Sequence, residues 1–204
     1  AHLLRVAASE VTEVLPLMKV SDYLTWLAES ILNQVVMRAW EPLVERHGRP
    51  SRLDGQPCNP DFVVAGYGKL GGIELGHNSD LDLVFLHDAA SGGMTDGDKP
   101  VSNEQFYARL GQRIIHILST RTMSGQLYEV DMRLRPSGSA GLLVSSMDSF
   151  EKYQLNDAWT WEHQALVRAR VVAGCNRARA RFDAIRHQVL CLERPLEKLR
   201  EDVL

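Results

Sequence analysis

The chain has 204 residues, 45% hydrophobic and 24% charged, which supplies enough apolar material for one large packed domain with a helical appendage. Its net charge of −3 counts against a protein that grips nucleic acid through the phosphates, since such proteins are basic. The three cysteines, Cys58, Cys175 and Cys191, match no zinc or redox spacing, and the chain holds neither a long apolar run nor a basic-then-apolar leader, so a cytoplasmic location without a membrane span is expected.

Residues 1–47 carry a helical pattern. From Ser21, a plausible N-cap, apolar positions recur at Leu24, Leu27, Ile31, Leu32, Val35, Val36, Ala39 and Trp40, and Pro16 should break an earlier helix. Gly48 to Pro60 is rich in glycine and proline and forms a connector. A buried strand is expected over Phe62–Gly68, then a glycine turn over Lys69–Gly72, then a second strand over Asp80–Leu86. Asp88–Pro100 is a loop. Ser102 and Gln105 form a capping box that opens a helix running to about Met123. A third strand is expected over Gln126–Leu134. Two helices follow within 145–170, with Asp148 and Glu151 as a second capping box. A last helix covers 175–203, interrupted near Pro195. The chain starts at Ala1 inside an apolar pattern and stops at Leu204 inside a charged helical one, so it is expected to be part of something longer. The division is a helical lead-in (1–50), a catalytic core (51–144) and a C-terminal helical segment (145–204). The class is α+β, a small mixed sheet with one long helix, flanked by helices.

The chemistry concentrates around Asp80 and Asp82. They sit two apart at a strand, so their side chains share a face about 6.6 Å apart, while Leu81 and Leu83 face the core. Paired carboxylates on one face repel each other unless a cation lies between them, and Mg²⁺ takes carboxylate oxygens together with substrate phosphates. Upstream, Gly71 and Gly72 could let a backbone approach a phosphate closely. Downstream, Glu129, Asp131, Arg133 and Arg135 would share one strand face. That arrangement adds a third carboxylate and two guanidinium groups suited to phosphate.

Leu70-Gly71-Gly72 followed by Asp80-Leu81-Asp82-Leu83 resembles the signature of the DNA polymerase β nucleotidyltransferase superfamily. The longer stretches 66–76, 79–88, 128–138 and 161–170 resemble the bacterial glutamine synthetase adenylyltransferase family. That family carries two related nucleotidyltransferase domains, one attaching AMP from ATP and one removing it by phosphorolysis. Residues 159–168 and 74–78 look like the attaching copy. The resemblance implies that Asp80, Asp82 and Asp131 hold two Mg²⁺ ions, with Asp131 assisting deprotonation of a tyrosine of glutamine synthetase. Gly71, Gly72, Ser79, Lys69, Arg133 and Arg135 would bind the nucleotide phosphates. The PII signal protein is the second implied partner, and regulation of nitrogen assimilation the implied role. One departure is Gly72, where many superfamily members place a serine, so a phosphate-binding hydroxyl is missing there.

Three other readings stay open: the adenylyl-removing domain of the same family, a nucleotidyltransferase with another acceptor, and a non-catalytic nucleotide-sensing module. His77 and His163 are expected to be structural. Trp159 and Trp161 are expected in the core rather than stacked on adenine, and Arg177, Arg179 and Arg181 on a solvated helix face.

Overall fold

The computed structural model describes residues 2–123 and 125–193. Two helices lead: α1 (His2–Val11) and α2 (Leu17–His47). Pro16 separates them as expected, but it also caps α2, so Ser21 lies inside that helix. A proline fixes φ near −65° and lacks an N–H, which suits a helix start.

Among the described residues the sheet has five short strands: β1 (Phe62–Gly66), β2 (Leu81–His87), β3 (Val130–Asp131), β4 (Val144–Ser146) and β5 (Arg170–Gly174). Their order is β3-β2-β1-β5, and β4 also pairs with β2. β1 runs antiparallel to β2 and β5. β3 and β4 run parallel to β2, β3 beside its start at Leu81 and Asp82 and β4 beside its end at Phe85–His87. The remaining helices are α3 (Gly68–Gly71, a single turn), α4 (Asn103–Ser119), α5 (Met147–Asn156), α6 (Thr160–Leu166) and α7 (Asn176–Leu190).

Strand alternation divides the core into two layers. Phe62 and Val64 of β1, with Leu81, Leu83 and Phe85 of β2, face α2 and α4. Val63 and Ala65, with Val84 and Leu86, pack with Phe150 of α5, Leu166 of α6 and Phe182 of α7. Asp82 lies on this second face, two residues before Val84, the first residue of β2 that the helices bury there.

Several expectations are corrected. The strand expected over 126–134 shrinks to the two residues of β3, because Asp131 turns the chain by accepting from the Arg133 N–H at 2.8 Å. β4 and β5 are additional strands. α4 begins where Ser102 accepts from the Gln105 N–H, but α5 is capped by Ser146, not Asp148. The end of α7 falls at Leu190, and Pro195 lies outside the described residues. Arg177, Arg179 and Arg181 are only partly solvated, and each is bonded to another element. Arg177 pairs with Asp61 (3.0 Å) and Asp88 (2.9 Å), Arg181 with Asp88 and Asp148, and Arg179 donates to the Val171 carbonyl. Trp159 and Trp161 are exposed, not core.

Candidate active site

The site forms where β1 ends, β2 begins and β3 pairs with it. In the parallel register Asp82 stands opposite Asp131, so the two carboxylates share a face on neighbouring strands. Asp80 is exposed one residue before β2. The single turn α3 lies against them. The Tyr67 N–H donates to the Asp82 carbonyl at 2.9 Å, and a Cβ at Gly68 (φ +53°) would overlap the Asp82 carboxylate. Only glycine lets the chain turn this close to Asp82.

The electrostatics confirm the crowding. Burial, then Asp80, then Asp131 push the Asp82 carboxyl above its ordinary range, against the pull of Arg133 and Lys69. Asp131 is shifted the other way. The Arg133 side chain donates to it, through Nε at 2.7 Å and through a second, shorter contact, and holds its carboxyl below the ordinary range.

Among the described residues, no group of three His, Cys, Asp or Glu side chains is placed to hold a metal ion by itself. The donor chemistry nevertheless suits a hard divalent cation. Mg²⁺ commonly takes one or two carboxylates and completes its shell with water and substrate phosphates. Asp80 and Asp82 meet that requirement directly, and Asp131 would join on leaving Arg133.

The expected phosphate ligands have these partners within the chain. Ser79 Oγ accepts from the Gly76 N–H at 3.0 Å and closes the loop before Asp80. The Gly71 and Gly72 N–H groups are used inside the turn, on the Tyr67 and Gly68 carbonyls, each at 3.0 Å. Arg135 donates to the carbonyls of Met132 (2.6 Å), Ser139 and Gly141, and so shapes the loop after β3. Lys69 is exposed beside Asp82. A cleft of about 450 Å³, lined by His77, Ser79, Asp80, Tyr128 and Glu129 among others, opens next to the carboxylates.

The glycine pair answers to a residue that the sequence did not single out. A Cβ at Gly71 would collide with the Arg168 carbonyl, and one at Gly72 with the Arg168 guanidinium. Arg170 fastens the same turn, donating to Gly71 O (3.0 Å) and Leu70 O (3.1 Å) and pairing with Glu29 of α2.

The profile of the glutamate-ammonia ligase adenylyltransferase family matches residues 1–185. The chain belongs to this family. It is 64% identical over 203 residues to proteins of Pseudomonas putida and Pseudomonas aeruginosa named bifunctional glutamine synthetase adenylyltransferase/adenylyl-removing enzyme. A protein of the same name from Hahella chejuensis is 57% identical over 204 residues. Each alignment takes in 100% of this chain and 21% of the relative, so the chain spans about a fifth of their length.

Within this family member the two histidines are engaged structurally. His77 Nε2 lies 2.6 Å from Glu10 of α1, and His163 Nε2 lies 2.8 Å from the Gln154 carbonyl. No helix among the described residues is long and apolar enough to cross a membrane.

Proposed function

We propose that this chain transfers AMP from ATP to a tyrosine hydroxyl of glutamine synthetase, with Mg²⁺ as cofactor. In the whole enzyme the PII signal protein would be the regulating partner, and control of nitrogen assimilation the outcome. The supporting observation is the in-register pair Asp82 and Asp131, with Asp80 beside them, at the end of a sheet packed against a glycine turn.

Two Mg²⁺ ions bound with ATP would neutralise the triphosphate and acidify the acceptor hydroxyl. Asp80 and Asp82 would hold them, joined by Asp131. The tyrosine oxygen attacks the α-phosphorus, the bond to the bridging oxygen of the β-phosphate breaks, and pyrophosphate departs. The hydroxyl proton passes to Asp131, which requires Arg133 to swing away and leaves that guanidinium free for phosphate. Lys69 supplies positive charge beside Asp82, while Gly71, Gly72, Ser79 and Arg135 shape the turns around the triphosphate.

The relatives are named for two activities, so adenylyl removal is the second reading. Residues 159–168 and 74–78 favour the attaching domain. Incubating the chain with Mg²⁺, α-labelled ATP and unmodified glutamine synthetase is expected to place label on the synthetase. Release of ADP from adenylylated synthetase and orthophosphate, without labelling in the first assay, would assign the chain to removal instead.

A further inference from the structure

We propose that Arg168 is a ligand of the ATP phosphates, clamping the β and γ groups against the glycine turn; this rests on the AMP-transfer reading above. Arg168 lies in the connection between α6 and β5. Its root is fixed because its carbonyl occupies the space a side chain at Gly71 would need. Its guanidinium lies over Gly72, where Nε and Cζ would stand 2.8 and 2.9 Å from an added Cβ. The glycine at 72 therefore makes room for a cation, which compensates for the absent hydroxyl at that position.

The placement matches a triphosphate. Gly68, at the start of α3, lies against the Asp82 carboxylate, and Gly72, which caps α3, lies against the Arg168 guanidinium. Four residues of helix separate those contacts by about 6 Å. A nucleotide whose α-phosphate sits at the carboxylates would extend its outer phosphates along this turn toward Arg168.

The present partner of Arg168 is exchangeable. It pairs with Glu74, and the two side chains are 46% and 55% exposed, so water screens the pair and its loss costs little. A phosphate can accept from both arms of the planar guanidinium through two of its oxygens, and it carries more charge than a carboxylate. The neighbouring Arg135 and Arg170 are committed to backbone carbonyls. Arg168 combines anchorage at its root with a head group whose ion pair, to half-exposed Glu74, is screened by water.

Equilibrium binding of Mg-ATP and of AMP to the wild-type chain and to Arg168→Gln and Arg168→Lys variants tests the assignment, with melting temperature as the folding control. R168Q is expected to weaken ATP roughly tenfold or more, the worth of a charged hydrogen-bond pair, and to leave AMP within about twofold. R168K, which keeps the charge but not the fork, should fall between. Glu74→Gln is expected to bind ATP at least as tightly as wild type, because it releases the guanidinium. Should R168Q fail to fold, R168K against wild type decides. An R168 variant that binds ATP as wild type does, or loses ATP and AMP equally, overturns the assignment and leaves AMP transfer standing. A folded wild-type chain that binds no Mg-ATP overturns both.

Discussion

Asp82→Ala is expected to slow AMP transfer at least about a hundredfold while leaving the chain folded. Asp82 is where the site's electrostatic tension collects. Burial and the charges of Asp80 and Asp131 all oppose its ionisation. A carboxylate held under that pressure makes the fold less stable than a neutral side chain would, so its retention calls for a cation that offsets the repulsion. Removing it should therefore cost catalysis and not stability. The melting temperature is expected to stay level or rise, since Leu81 and Leu83 on the opposite face carry the packing of β2. Label transfer to glutamine synthetase and thermal unfolding on the same preparation measure both effects. Near-normal transfer by D82A in Mg²⁺ would end the metal assignment.

Asp61→Ala is expected to destabilise the fold by roughly 3 kcal/mol, the effect of breaking a buried ion pair from one side. Asp61 is 1% exposed just before β1. Burial pushes its carboxyl up, but Arg52 at 2.5 Å, Arg177 at 3.0 Å and the Asn59 N–H at 3.1 Å together outweigh that and hold it below the ordinary range. The sign of the pH dependence follows. A carboxylate with a depressed folded-state pKa stabilises the fold above its unfolded value near 4, and that stabilisation is lost as pH falls through the folded value. Urea unfolding at pH 7 should show the gap between wild type and D61A, and the gap should narrow as the pH falls below about 4. Asp61 enters β1 at the end opposite Gly66 and α3, so Mg-ATP affinity is expected to be unchanged at temperatures where D61A remains folded. Equal stability at pH 7 would mean that Arg52 and Arg177 find other partners at no cost.

Where the sequence pattern is local, it tracks the fold. The all-apolar run at Phe62–Gly66 and the alternation of Asp82 against Leu81 and Leu83 lead directly to β1 and β2. Ser102 and the stripe Phe106, Leu110, Ile114 and Leu118 lead to α4. Short strands escape it. β4 has three residues, and β5 is a brief apolar run at the end of a stretch that continues a helical pattern. Their identity comes from pairing with β2 and β1, which no local window contains. β3 fails in the opposite sense. The alternation of Glu129, Asp131, Arg133 and Arg135 is regular enough for a long strand, yet Arg133 bends back onto Asp131.

The carboxylates of the candidate site were legible because two aspartates alternate with leucines on β2 and a third falls in an alternating run, which the register then brings opposite Asp82. The partners of the C-terminal arginines were not. Arg177 and Arg181 find Asp61 and Asp88 across more than eighty positions of sequence. Arg168 reaches Gly72 in the same non-local way. Arg168 falls inside the stretch 161–170 that carries the family resemblance, but its contact with the turn leaves a trace only in the glycine pair, since two adjacent glycines leave a space that some other group must fill.

The most direct test of the central claim is a titration of the wild-type chain and D82A with Mn²⁺ in place of Mg²⁺, with and without ATP, followed by electron paramagnetic resonance. Protein-bound Mn²⁺ that tightens when ATP is added, and that is lost in D82A, is the predicted result. Binding of Mn²⁺ and ATP that is the same in D82A as in wild type would contradict a metal site built on Asp80, Asp82 and Asp131.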